Sequence, residues 1–284
     1  MLGHLGRFAE AYDCLDEAAE AMRHESVAGE ASVLGWRSTV EIWQGRWEAA
    51  LDSATRAYRL AERVSRLYIL GMGEALAAYA SWQLQRKPES LERIARSTSW
   101  LQARGQCLSI SLNYGWLADM AADLARAGQA TEGAARMWAA RAIRRARRHD
   151  PFGEVMSYCA LARLPWRGRG PTPVQHLELA FGRADENVRQ PAADGGRGTA
   201  LAPYRPRSPR ELALAAWESG RQALRAGRGL EARTRLEQAC GAFDALEMTW
   251  FADQAKLDLE AAPAAPDPAP RPPDPDREEH LVPR

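Results

Sequence analysis

The chain has 284 residues, of which 46% are hydrophobic and 26% are charged, and its net charge is +1 at pH 7. These values are ordinary for a folded protein, and a net charge near zero excludes a global field that would draw the chain to nucleic acid or to a membrane. The sequence holds no apolar run of about 18 residues, and its amphipathic N-terminus differs from a secretory signal. Its four cysteines form no C-x-x-C pair. We therefore expect a cytoplasmic protein with free thiols.

Apolar residues recur at spacings of three and four along most of the chain, and this period predicts helices. No segment alternates apolar and polar residues over the length of a strand, so we predict an all-α fold. Residues 1–6 read as the stump of a first helix. The helices predicted after it, up to the first irregular segment, cover residues 8–23, 28–44, 47–64, 66–85, 88–103, 108–127, 130–148 and 151–163.

The second half of the chain is less regular. It contains one predicted helix over 174–187 and a Gly-, Pro- and Arg-rich loop over 189–207. The tetrapeptide Ser208-Pro209-Arg210-Glu211 is a capping box with proline at the first helical position, so a helix begins there. Further helices are predicted over 230–246 and 249–261. The last four residues match the remnant of a protease-cleavable tag.

These patterns divide the chain into four predicted segments. Helical hairpins occupy 1–165, and an irregular segment with one helix occupies 166–207. A helical hairpin plus a short helix occupies 208–262. The remaining residues, 263–284, are rich in proline and are predicted to be a disordered tail.

A short signature recurs where one predicted helix ends and the next begins. Glycine is followed two positions later by an aromatic or small residue, and then by an acidic and a small residue. The copies begin at Gly6, Gly45, a degenerate turn near 85, Gly128 and Gly227. Glycine suits this place because it adopts the left-handed conformation that ends a helix. We expect a substitution of Gly45 to disturb residues 1–85 and to leave 208–262 protected.

This signature resembles the tetratricopeptide repeat over roughly 1–165 and 208–262. The positions that carry the resemblance are Gly6, Phe8 and Ala11 in one copy and Gly45, Trp47 and Ala50 in another. The spacing of about 40 residues is longer than the usual repeat of about 34, and the closing proline is missing. The resemblance implies a right-handed superhelical solenoid of antiparallel helical hairpins, whose concave groove binds a protein or peptide.

A second resemblance concerns the segments 139–164 and 242–248. They look like the C-terminal helical-repeat region of bacterial multidomain regulators, in which the repeats follow an adenylate or guanylate cyclase domain and an ATPase domain. A similar region ends LuxR-type transcriptional activators. The resemblance implies a regulatory or sensory module that is part of a larger signalling protein. The sequence contains neither catalytic module.

No motif in the sequence predicts catalysis or a cofactor. The five histidines do not cluster, and no metal-binding spacing exists among them. Neither lysine, Lys87 or Lys256, lies in a phosphate-binding loop. The glycine pairs at 71–73 and 168–170 follow no predicted strand, and the carboxylates are scattered along helix faces. We therefore predict a non-enzymatic chain without cofactor or metal.

Polar residues on the first helices of the hairpins are the candidates for the concave groove: Arg37, Glu41, Glu74, Asn113 and Asp119. An alternative function uses the ten tryptophans. Most of them lie on apolar helix stripes and are expected in the core. Some could instead line a cavity between hairpins and make the chain a sensor of a small molecule.

Basic residues crowd the end of the predicted helix that closes the fourth hairpin, over Arg136–His149. The side chains considered for binding there are Arg141, Arg144, Arg145 and Arg148. A solvated helix end is one interpretation, because cations complement the helix dipole. A site for an acidic protein partner is the second. Nucleic acid is the third, and the lack of interleaved aromatic residues argues against it.

Overall fold

A computed structural model describes residues 1–23, 25–106, 108–146, 150–185 and 207–263. In these ranges the chain forms a short 3-10 helix over Gly3–Leu5 and twelve α-helices, and it forms no strand. The α-helices are α1 (Phe8–Met22), α2 (Val27–Gln44), α3 (Trp47–Arg63), α4 (Leu67–Gln85), α5 (Glu89–Ala103), α6 (Ile110–Arg126), α7 (Glu132–Ala146), α8 (Glu154–Ala162), α9 (Pro173–Asp185), α10 (Pro209–Arg225), α11 (Gly229–Ala245) and α12 (Thr249–Glu260). The all-α prediction is confirmed.

Helix boundaries follow the local signals in the sequence. The Ser26 hydroxyl accepts a hydrogen bond from the Gly29 amide at 3.1 Å and caps α2. The Ser208 hydroxyl accepts one from the Glu211 amide at 3.2 Å and caps α10, as the capping box predicts. Gly45 ends α2 in the left-handed conformation, with φ of 85°. The amphipathic period and these signals place every helix within a few residues of its predicted range.

Helices that follow one another in the chain pack together. The largest interfaces join α2 to α3, α3 to α4, α6 to α7 and α10 to α11. Short turns connect the partners of each pair, which is the arrangement of helical hairpins. The packing of consecutive pairs is the part of the repeat prediction that is confirmed.

The two ends of the described chain meet. The Ser208 hydroxyl donates a hydrogen bond to the His4 carbonyl at 2.9 Å. The side-chain amide of Gln44, at the end of α2, donates to the Glu247 carbonyl just before α12 at 3.3 Å. One hydrophobic core contains residues from the predicted segments 1–165 and 208–262 alike. The helices α10 and α12 therefore pack against the N-terminal part of the chain.

Small residues allow the backbone of α6 to approach the start of α8 closely. A Cβ on Gly153 would lie 1.8 Å from the Ser111 carbonyl oxygen, and one on Gly115 would lie 2.8 Å from the Gly153 Cα. The Asp150 carboxylate accepts hydrogen bonds from the Ser111 amide at 2.8 Å and from its hydroxyl at 2.7 Å. This contact sets the position of α8 relative to α6.

Some predictions fall outside the described residues. These are the loop over 189–207 except Arg207, the disordered tail over 263–284 except Pro263, and Arg148. Of the helix predicted over 174–187, the described part is α9, which begins at Pro173 and extends to Asp185. In the described ranges, no helix combines the length and hydropathy that crossing a bilayer requires.

Candidate functional site

A cavity of about 100 Å³ lies where seven helices converge, namely α2, α3, α4, α6, α8, α10 and α12. Its lining comes from both ends of the chain, since Ile42 and Trp47 face it from one end and Trp250 and Phe251 from the other. The cavity is therefore a product of the chain closing on itself. It is the candidate functional site because concave, partly apolar cavities with a few polar groups are where small molecules bind.

Aromatic side chains form one wall of the cavity. The Trp47 ring lies 5.1 Å from the Trp250 ring and 5.8 Å from the Phe251 ring, in edge-to-face geometry. Its centroid is 6.2 Å from that of Tyr79. Trp217 contacts Phe251 at 6.0 Å. Such edge-to-face contacts hold the rings in place, so the wall is formed before any ligand arrives.

A buried arginine organises the polar side of the cavity. The Arg163 guanidinium, at the end of α8, donates hydrogen bonds to Asp119 and, at 2.7 Å, to Asp123. Its Nε lies 3.7 Å from a carboxylate oxygen of Glu218 on α10. Burial disfavours the charged form of Arg163, but the three carboxylates outweigh it and raise the pKa well above its ordinary value. Arg163 therefore links α6, α8 and α10 by charge.

The carboxylates of this network have further partners. The Tyr79 hydroxyl donates to Asp119 at 3.1 Å, and burial together with this carboxylate raises the pKa of Tyr79 well above its ordinary value. Arg225 donates to Glu218 at 2.6 Å. Arg86 lies 3.4 Å from Asp123. The negative charges around the cavity are thus already neutralised by arginines.

Arg210 is a further cation of the lining, and it is 3% exposed. Its Nε donates to the Trp43 carbonyl at 3.3 Å, and its guanidinium lies over the Trp43 ring at 5.7 Å. Burial lowers the pKa of Arg210 to about 10, against the opposing effect of Glu211. Glu211 itself lies 3.7 Å from the imidazole of His4.

The cavity also exposes one thiol to its interior. Cys159 on α8 is buried, and burial raises the pKa of this thiol, so it is protonated at neutral pH. A protonated thiol is a poor nucleophile. Among the described residues, no group of three or more His, Cys, Asp and Glu side chains could hold a metal ion. The aromatic faces and charged groups of the lining suit it to binding.

Of the five residues predicted for the concave groove, Arg37 and Glu41 line one surface pocket together, and Glu74, Asn113 and Asp119 do not line it. Arg37 forms an ion pair with Asp16 on α1, and Glu41 is buried nearby. Glu74 accepts a hydrogen bond from Arg93 of α5 at 2.8 Å. Asn113 has no exposed surface and donates to the Thr98 hydroxyl at 3.1 Å, so no partner can contact it in this structure. Asp119 alone lines the central cavity.

The basic residues at the end of α7 have different surroundings. The Arg141 guanidinium stacks on the Trp138 ring at 4.7 Å. Arg145 lies 3.9 Å from the Asp150 carboxylate, and Arg144 is exposed. Arg148 lies outside the described residues. Arg144 is thus the described member of this group that presents its side chain most openly to solvent.

Sequence reasoning missed the residues that shape the cavity most. Arg163 comes directly after the largely apolar stretch 155–162, and a lone arginine at the end of such a stretch could have indicated a buried, paired cation. Arg210 stood inside the capping box and was interpreted only as part of a helix start. Trp217 and Trp250 lay on helix stripes that predict core packing equally well.

Comparisons of the chain with family models, with curated proteins and with solved structures give no match. The resemblances to tetratricopeptide repeats and to the repeat regions of bacterial regulators therefore stay expectations. The shape and charge of the cavity itself indicate the kind of ligand that it can bind.

Proposed function

We propose that this chain is a non-enzymatic helical-repeat module that binds a small molecule in its central cavity and acts as a sensor. The observation that carries the proposal is the position of the cavity among seven helices from both ends of the chain. Its aromatic wall and paired charges provide apolar contact and orientation, the two elements of a ligand site. Of the two functions predicted from sequence, the sensor is therefore the one that the geometry supports better.

The position of the cavity also supplies a way to signal. A ligand that touches Trp47 near the start of the chain and Phe251 near its end favours the closed arrangement over any more open one. The free energy of binding then stabilises the contact between α10–α12 and the N-terminal helices. In a larger bacterial regulator this closure would pass ligand occupancy to neighbouring domains. A right-handed superhelical course of the hairpins belongs to the same proposal.

A cavity-filling substitution tests this function. Leu214 on α10 lines the cavity, and Leu214→Trp would occupy the space that a ligand needs. Leu257→Trp on α12 is the matched control, because Leu257 is 58% exposed on the outer surface. Small metabolites are screened for those that raise the melting temperature of the wild-type chain. We expect the stabilisation by such a compound to disappear in Leu214→Trp and to persist in Leu257→Trp.

Two results would overturn the proposal. One is a screen in which no compound raises the melting temperature. The other is a compound that stabilises Leu214→Trp as much as the wild type, which would place its site elsewhere. If Leu214→Trp does not fold, Leu214→Phe fills less space and serves the same purpose.

A second candidate function is the binding of an acidic protein partner at the end of α7. The exposure of Arg144 next to Arg141 favours it. Arg145 is less suitable for charge reversal, because it lies beside Asp150, which holds α6 to the segment before α8. The sharper test is therefore Arg144→Glu alone, which should weaken binding of an acidic domain and leave the melting temperature unchanged. Equal binding by wild type and variant would contradict it.

A further inference from the structure

The charges that line the central cavity do not balance. Four arginines and three carboxylates contribute to the lining, so one positive charge is left over. Arg163, Arg86 and Arg221 each lie within ion-pair distance of a lining carboxylate, Asp123 for the first two and Glu218 for the third. Among the groups that line the cavity, the surplus charge therefore belongs to the remaining cation, Arg210, since Glu211 lies outside the lining, 3.7 Å from the His4 imidazole.

Arg210 has hydrogen-bond donors that the described residues leave unpaired. Its Nε bonds the Trp43 carbonyl, but its two terminal nitrogens have no hydrogen-bond partner among the described residues, and no carboxylate there forms an ion pair with it. The face of its guanidinium gains some compensation from the Trp43 ring. A buried cation with free donors is costly unless something pairs with it. Within the described part of the chain, no carboxylate comes within ion-pair distance of Arg210, and Glu211 acts on it only from farther away.

Arg210 belongs to the buried part of the cavity lining. Arg86 is exposed, and Asp123 and Arg221 are partly exposed, so they form the mouth. Arg210 and its lining neighbour Ile42 are 3% and 2% exposed. A ligand that enters past the polar mouth would therefore meet Arg210 in the buried part of the cavity, where the lining residues Trp47 and Tyr79 are also almost unexposed.

We propose that the central cavity binds a small carboxylate, whose two oxygens accept hydrogen bonds from the terminal nitrogens of Arg210. This inference rests on the proposed function and adds the class of ligand. A guanidinium matches a carboxylate in a two-bond fork and neutralises its charge. In such a ligand a short apolar group is attached to the carboxylate. This group then lies against Ile42, Trp47 and Leu214, which line the same cavity.

The volume of the cavity limits the size of the group attached to the carboxylate. The cavity measures about 100 Å³, less than an engineered cavity of about 150 Å³ that accommodates benzene. The buried part of the ligand is therefore a carboxylate with a few carbon atoms, or the carboxylate end of a longer molecule that leaves through the mouth. A phosphate suits the site less well, because a single buried arginine offers too few donors for its oxygens.

The test compares ligands that differ in charge and match in shape. Butanoate and butanamide are titrated into the full chain, with tryptophan fluorescence and the melting temperature as readouts, and inorganic phosphate is the third probe. We expect butanoate to bind at least about tenfold more tightly than butanamide. This comparison uses the wild-type chain, so it holds even if a variant fails to fold.

Two variants assign the effect to Arg210. Arg210→Met should remove the preference for butanoate over butanamide, while Arg210→Lys, which keeps the charge but not the fork, should retain part of it. The matched control is Arg167→Met, which removes a cation that is 74% exposed and does not line the cavity, and it should leave the preference unchanged.

The outcomes separate this inference from the proposed function. Equal binding of butanoate and butanamide would overturn the carboxylate assignment and leave a working ligand cavity. A preference for phosphate would also overturn it, and so would a preference that survives Arg210→Met. If neither butanoate nor butanamide binds, and the metabolite screen finds no other ligand, the inference and the proposed function both fail.

Discussion

The Ser208 hydroxyl donates a hydrogen bond to the carbonyl of His4, 204 residues away, at 2.9 Å. The same hydroxyl oxygen accepts a hydrogen bond from the Glu211 amide and caps α10. One buried side chain therefore starts the helix that lines the cavity and attaches it to the beginning of the chain. The closure of the fold depends on contacts of this kind.

Ser208→Ala should cost more than the loss of a helix cap. Loss of an N-cap serine costs about 1 kcal/mol. The substitution also leaves the buried His4 carbonyl without this hydrogen-bond donor, so we expect the free energy of unfolding to fall by about 2 kcal/mol in total. Ser26→Ala is the control, because Ser26 caps α2 through the Gly29 amide, and we expect about 1 kcal/mol there. Denaturant unfolding measures both. Equal losses in the two variants would mean that the bond to His4 contributes nothing.

Arg163→Met should be among the most damaging substitutions of a charged residue. It leaves Asp119, Asp123 and Glu218 around the cavity without their shared cation, and removing one partner of a buried ion pair costs about 3–5 kcal/mol. The control is Arg167→Met, since Arg167 is 74% exposed where it pairs with Glu132. That variant should unfold at nearly the wild-type denaturant concentration. A similar midpoint for Arg163→Met would show that the network is not needed for the fold.

Glu41→Gln should stabilise the protein at neutral pH. Burial raises the pKa of Glu41, against the opposing effects of Ser53, Arg37 and Arg46, so the folded state disfavours the ionised carboxylate. One carboxylate oxygen is buried without a hydrogen bond in the described structure. At a pH above its folded-state pKa, ionised Glu41 destabilises the folded protein. This destabilisation is lost as the pH falls through the folded-state pKa to the ordinary pKa of a glutamate. The gain from the variant should therefore be a few degrees at pH 7 and vanish below about pH 4.

Glu74→Gln is the matched variant for this prediction. Glu74 is partly exposed and accepts two hydrogen bonds from Arg93, at 2.8 and 3.2 Å. Removing its charge loses an ion pair without relieving a buried charge, so the melting temperature at pH 7 should not rise. Melting curves across pH 4–8 measure both variants. A gain for Glu41→Gln that does not change with pH would point to packing and not to charge.

Gly45→Ala should disturb both ends of the chain. A Cβ at this position would lie 2.9 Å from the Phe251 ring of α12. The expectation from sequence that a Gly45 substitution leaves 208–262 protected from amide exchange is therefore replaced by one in which α12 is disturbed as well. Gly128→Ala is a close control, because Gly128 has a similar φ of 72° and nothing within 4 Å of the added Cβ. Both variants carry about 1–2 kcal/mol of backbone strain. Only Gly45→Ala should raise amide exchange in α12, and unchanged exchange there would contradict the contact.

The local sequence carried enough information for the helices. Trp43, Gly45 and Trp47 mark the end of one helix and the start of the next, and the structure ends α2 at Gln44 and begins α3 at Trp47. Such boundaries depend on neighbours within a few residues, through capping bonds and the left-handed glycine. That is why periodicity and turn residues sufficed to predict the all-α fold in consecutive pairs.

The candidate site could not be predicted in the same way. Asp119 was placed in a groove by its helical position, yet its role comes from Arg163 and Tyr79, which lie 44 and 40 residues away. Asn113 had the same polar character and became fully buried. A polar residue on a helix can face solvent, a partner helix or a cavity, and helical period alone does not distinguish these.

The sequence by itself determined where each helix begins and ends, because the interactions that start and stop a helix form between residues within a single turn of the chain. What the tertiary structure decided is that α10 returns to the start of the chain, where Arg210 meets the Trp43 carbonyl from 167 residues away. Apolar stripes specify that a surface must be buried but not which other stripe buries it, because hydrophobic burial is non-directional. The cavity, its surplus positive charge and its aromatic wall all arise because α10 and α12 pack against the N-terminal helices.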